Sequence, residues 1–121
     1  MDSPNYERLN VWQDAMSLVK TVYILTKDFP RDEIHSLTNQ IRRAAVSVPA
    51  NIAEGHGRGT KKDFRQFLYI SKGSLQELNT LTQLANEIGY LKDTDFIELR
   101  ASILSLVRRI TALSKNLVPP T

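Results

Sequence analysis

The large apolar residues near the C-terminus, Phe96, Leu99, Ile103, Leu106, Ile110, Leu113 and Leu117, are separated by alternating steps of three and four. That alternation lays them along one narrow seam of an α-helix. A seam of this kind is buried by other helices crossing at a shallow angle. The same constraint extends through the chain: apolar positions recur at helical spacing almost throughout, and no alternating β-type run exceeds a few residues. The expected class is all-α.

Three breaks divide the pattern into four helices. The first is expected over about residues 11 to 27, with Trp12, Ala15, Met16, Val19, Val22 and Tyr23 inward and Val11, Leu18 and Leu25 widening the face; Phe29-Pro30 ends it. The second is expected to start near Asp32, whose carboxylate can cap the first turn. Its core stripe would be Ile34, Leu37, Ile41, Ala44, Ala45, Val48 and Ile52. Pro49 offers no amide to the carbonyl of Ala45 and crowds it, so a bend or break is expected there, at a cost of about 3 kcal/mol. The glycines of Gly55-His56-Gly57-Arg58-Gly59 close that helix. The third opens on Thr60 as N-cap, with Asp63 three residues on. It presents Phe64, Phe67, Leu68, Ser71, Leu75, Leu78, Thr82 and Ala85 inward and ends at Gly89. Asp93 or Thr94 would cap the fourth. Links of a few residues force sequential helices to run antiparallel, which gives an up-down-up-down four-helix bundle as a single domain over 1–121, with 118–121 as a frayed tail.

A chain of 121 residues is long enough for one core without staples, and it contains no cysteine. Disulfide scaffolds, thiol catalysis and cysteine-liganded metals are therefore excluded. Two histidines remain, His35 and His56, and neither belongs to a Glu-x-x-His pair of the kind that builds di-iron bundles. The Gly55 to Lys62 run superficially resembles a phosphate loop, but it lacks the preceding strand and the Gly-Lys-Ser/Thr ending. No serine sits in a nucleophile elbow. The expectation is a protein that is not an enzyme and takes no cofactor. With no basic-then-apolar leader and no long apolar stretch, it is expected in the cytoplasm and away from membranes.

The formal charge is +3, unevenly spread. Between Arg42 and Lys72 seven basic residues meet only Glu54 and Asp63, whereas the remainder carries a slight excess of acids. Such a basic middle attracts polyanions, or forms a solvated face paired with its neighbours. On the third helix Lys62, Arg65, Tyr69, Lys72 and Gln76 follow at steps of three and four. They form a strip about 80° wide, centred about 130° from the apolar stripe. Cations spaced this way can track a phosphate backbone while the tyrosine stacks on a base. The alternative is an ordinary flank whose lysines shield apolar neighbours.

On the second helix, Arg42, Val46, Ala50 and Ala53 form another stripe opposite the core stripe, and no charge falls between Arg43 and Glu54. An uncharged face of small residues suits docking to another subunit. Alternatively a bend at Pro49 tucks both stripes inside. Arg42 and Arg43 would serve that interface, bind an anionic partner, or pair with Glu77.

The segment from Ser36 to Thr80 resembles the four-helix bundle family encoded by intervening sequences of bacterial 23S ribosomal RNA genes. That family includes the accessory variability determinants of diversity-generating retroelements. The hallmarks stand as Gln40 to Ala45, Ser47 to Gly55, Arg58, Phe64, Phe67-Leu68, Gly73-Ser74 and Glu77-Leu78, with Leu9, Val11-Trp12, Phe29-Pro30 and Gly89-Tyr90 also matching. The resemblance implies an antiparallel bundle assembled into a ring-like homo-oligomer, pentameric, without enzymatic activity. For retroelement-linked members it further implies a basic barrel that binds template RNA and the reverse transcriptase. The positions it marks as an anion-binding surface are Arg42, Arg43, Arg58, Lys61, Lys62 and Arg65. The expected function is a homo-oligomeric bundle contacting RNA or DNA phosphates; the competing expectation is a protein-interaction scaffold without nucleic-acid binding.

Overall fold

The computed structural model describes residues 4–117. The tail expected to fray, 118–121, lies outside the described residues. Four helices form: α1 (Asn10–Thr26), α2 (Leu37–Gly57), α3 (Lys61–Glu87) and α4 (Asp93–Lys115), with 3-10 turns at Asn5–Arg8 and Arg31–Glu33. Sequential helices pack on one another and α1 closes onto α4, so the bundle is antiparallel and up-down-up-down, with α2 against α3 as its most extensive contact. The core is one cluster. Leu18 and Val22 of α1, Ile41, Val48 and Ile52 of α2, Leu68, Leu75 and Leu78 of α3, and Ile103, Leu106 and Ile110 of α4 are all buried in it.

Two caps form as the residue pattern requires. The Thr60 hydroxyl accepts the Asp63 amide at 3.1 Å, which satisfies one of the free donors at the start of α3. Gly89 takes φ +89°, and the Tyr90 amide reaches back to the Ala85 carbonyl at 2.9 Å, closing α3 in the left-handed manner.

The start of α2 differs from expectation. Arg31–Glu33 winds as a short 3-10 turn, α2 begins only at Leu37, and Asp32 caps nothing. The chain must turn a corner after Pro30, and this turn leaves Ile34 about half exposed instead of in the core. Asp93 does not cap α4 either: its carboxylate accepts Asn86 Nδ2 at 2.7 Å, and the same amide donates to the Leu91 carbonyl at 3.0 Å, bracing the α3–α4 turn. On α1 the buried stripe is Val11, Ala15, Leu18, Val22 and Thr26, rotated so that Tyr23 lies outside.

Pro49 neither breaks α2 nor divides it, because the helix continues from Leu37 to Gly57 with Pro49 buried. Side chains reinforce the backbone around it. The fully buried Ser71 hydroxyl of α3 donates to the Val48 carbonyl at 2.9 Å, Asn51 Nδ2 donates to the Ser47 carbonyl at 2.8 Å, and the Ser74 hydroxyl donates to Ser47 Oγ at 2.9 Å. In the last turn of α2, Gly55 lies so close to α3 that a Cβ there would stand 2.5 Å from Phe67 Cβ. The run Ser47 to Gly55 thus carries close contacts between α2 and α3.

Candidate nucleic-acid and subunit-docking surfaces

Helix α3 is polarised along its length. Lys61, Lys62, Arg65 and Lys72 occupy its first half, whereas Glu77 and Glu87 lie in its second. Lys62 and Tyr69 are exposed, the tyrosine by 59%, and Arg65 and Lys72 are half-buried. Among the described residues the ion pairs are Glu54–Arg58 and Asp14–Arg109, so these cations are held by no carboxylate. Because α4 runs antiparallel to α3, its exposed Arg108 and Lys115 fall at the same end of the bundle. Residue-pattern reasoning missed these two, although their spacing of seven places them on one face. The acids Asp93, Asp95 and Glu98 gather at the opposite end, in the first turns of α4.

The remaining cations point elsewhere. Ser71 and Ser74, which touch α2, lie outside the strip. Arg58 Nη2 is 2.8 Å from Glu54 Oε1 one turn earlier, and its guanidinium lies 5.1 Å from the Phe67 ring centroid. The hydrogen bond to Glu54, and then the charge of that carboxylate, raise the Arg58 pKa above its ordinary value. Arg42 turns to α1: its Nε donates to Thr26 Oγ1 at 2.9 Å, and its guanidinium stands 4.6 Å from the Tyr23 ring centroid. Its expected pairing with Glu77 does not form. Arg43 is exposed and lines the α2–α3 groove together with Glu77 and Ser74, with no salt bridge between Arg43 and Glu77. Arg42, Arg43 and Arg58 are thus engaged at α1, the α2–α3 groove and Glu54, apart from Lys61, Lys62, Arg65, Tyr69 and Lys72 on α3.

The outer face of α2 carries Val46 and Ala50 exposed and Ala53 half-buried, so the Pro49 segment does not tuck this stripe inside. Val46, 42% exposed, shares a groove of about 590 Å³ with Tyr23 and Ile34, both themselves exposed. The histidines are bland: His56 packs edge-on against Phe64 at 5.3 Å, and His35 is exposed. Among the described residues no cluster of acids and histidines is placed to hold a metal ion, and no helix is long and apolar enough to cross a membrane.

The family described as 23S rRNA-intervening sequence protein matches residues 7–112. The chain belongs to this family. The bundle is also similar to the crystal structure of a protein of unknown function from the S23 ribosomal protein family of Bacteroides thetaiotaomicron, with a TM-score of 0.80. The likeness covers 87% of this chain and 95% of that one at 18% identity, which shows a shared fold. None of the curated proteins matches the chain. Within this matched region, the Ser47–Ser74 and Val48–Ser71 hydrogen bonds and the missing side chain at Gly55 bring α2 close to α3.

Proposed function

We propose that this member of the 23S rRNA-intervening sequence family is a non-enzymatic, cytoplasmic homo-oligomer that contacts RNA or DNA phosphates through the α3 strip. The observation that carries the reading is the placement of Lys61, Lys62 and Arg65 in the first turns of α3. A helix N-terminus favours anions, by about 0.3–1 kcal/mol for each charge in the first turn. Cations there oppose the helix dipole, and Asp63 alone offsets them. Stability gives no reason for that arrangement, whereas a polyanion does. Tyr69 lies within the strip with its ring accessible for base stacking. The test is salt-titrated binding of a single-stranded RNA by the wild type and by the triple variant Lys62→Glu, Arg65→Glu, Lys72→Glu. The expected result is binding that falls steeply with salt and is lost in the triple variant; retained affinity refutes the assignment.

A second reading rests on the α2 face, where Val46, Ala50 and Ala53 adjoin the apolar groove of Tyr23 and Ile34. On that reading the chain is an interaction scaffold, docking copies of itself as a ring, pentameric by family resemblance, or recruiting a protein partner. If the gene lies beside a retroelement, the partner would be its reverse transcriptase. Wild-type protein that binds no nucleic acid at low salt yet forms a defined oligomer favours this reading.

A further inference from the structure

Where the chain turns from α1 into α2, a cavity of about 440 Å³ opens, lined among others by Thr26, Lys27, Phe29, Arg31, Thr38 and Arg42. Three of its lining residues are cations and none is an acid. The guanidinium of Arg42 is fixed before any ligand arrives. Thr26 Oγ1 donates to the Val22 carbonyl at 2.8 Å and accepts Arg42 Nε at 2.9 Å, while the Tyr23 ring supports the guanidinium. No hydrogen bond to another described residue uses the two terminal nitrogens of Arg42, and no carboxylate neutralises them. A fork anchored at Nε with its outer edge free suits recognition of an oxyanion.

A second observation falls in the same wall. Thr38 is only 2% exposed, yet its Oγ1 has no hydrogen-bond partner. Burying a hydroxyl without a partner is unfavourable, and because this Oγ1 is itself sealed from solvent, a group in the cavity can supply a partner only once the side chain turns. Thr38 also stands in the first turn of α2, whose N-cap residue Ser36 makes no side-chain cap. That leaves the positive end of the helix dipole at the cavity without a side-chain oxygen to meet it. Phe29, Pro30 and Ile34 add an apolar side to the lining, and the volume lies within the range of small-molecule pockets.

We propose that this corner binds a small phosphate ester. The terminal nitrogens of Arg42, with Lys27 and Arg31 at the rim, take the phosphate oxygens. A turn of Thr38 about χ1 presents its hydroxyl to the same group, and the apolar lining receives the organic part. This site is separate from the α3 strip, so either assignment stands if the other fails.

The full-length protein is titrated calorimetrically with inorganic phosphate, adenosine 5′-monophosphate and uncharged adenosine, while NMR follows the Thr38 amide and the Arg42 Nε–H. Phosphate and the nucleotide are expected to bind and shift both signals, and adenosine is expected not to. Arg42→Gln should weaken nucleotide binding about tenfold or more, and Thr38→Val about threefold or more. The variant Lys62→Glu, Arg65→Glu should leave it within about twofold, since those residues are remote from the cavity. Should Arg42→Gln fail to fold, Arg31→Gln, on the exposed turn, tests the same site. Undetectable binding of both phosphate and nucleotide, equal binding of adenosine, or unchanged affinity in the Arg42, Arg31 and Thr38 variants each overturns the proposal.

Discussion

A methyl group added at Gly55 would stand 2.5 Å from Phe67 Cβ and 3.2 Å from Phe67 Cγ, inside the contact between α2 and α3. Neither backbone can withdraw without unpacking its neighbours, so Gly55→Ala should destabilise the protein by about 1–3 kcal/mol, read from the midpoint of urea unfolding. Gly57 has no atom within 4 Å of the corresponding position, which makes Gly57→Ala the control. Ser71 offers a polar counterpart. Its buried hydroxyl serves the Val48 carbonyl, and Ser71→Ala should cost about 1–2 kcal/mol in the same assay. The glycine run reads Gly55 as part of the helix terminator, whereas Gly55 lies inside α2 and Gly59 takes the left-handed φ of +85°; the sequence cannot show that a neighbouring helix occupies the space of the missing side chain.

At the scale of the helix, Pro49 sets two effects against each other. It withholds a hydrogen bond from Ala45 and crowds that carbonyl, at about 3 kcal/mol. Its buried ring contributes about 0.8 kcal/mol for each methylene beyond alanine. The difference predicts that Pro49→Ala raises stability by about 1 kcal/mol, which thermal unfolding followed by circular dichroism would show. The helices themselves are legible from spacing and caps: the seam of α4, Thr60 at the head of α3 and Gly89 at its end all form as read. The rotation of α1 and the start of α2 are not. Thr26, Thr82 and Ser114 go into the core because their hydroxyls bond to carbonyls four residues back, at 2.8 to 2.9 Å; Thr82 falls in the inward stripe that spacing predicts, whereas a tally of apolar residues passes over Thr26 and Ser114. Thr26 thereby completes an inward stripe that leaves Tyr23 outside, and Ile34 is lost to the 3-10 turn that the proline imposes. The site was legible to the same extent: the α3 cations group as their spacing requires, whereas the partners of Arg42 and Arg58 depend on which side each helix turns to its neighbours.

For the whole molecule, the exposed stripe on α2 and the cationic end of the bundle can be separated by experiment. Val46→Glu with Ala50→Glu places charge on the outer face of α2 without touching the buried stripe. If copies dock through this face as proposed, the expected outcome is a folded single chain in place of the oligomer, measured by light scattering and native mass spectrometry, with the helical content retained. An unchanged mass would remove α2 from the interface. The polar contacts between α2 and α3 bear on a different property. After a slip of one helical turn, about 5.4 Å, apolar side chains would still meet apolar side chains, but Ser71 and Ser74 would lose their acceptors on α2 and the notch at Gly55 would no longer face Phe67. This pair of helices therefore has a built-in vernier: a ring assembled from such protomers would inherit its pitch from a few hydroxyls, and aliphatic drift in the interior could proceed without altering how neighbouring copies line up.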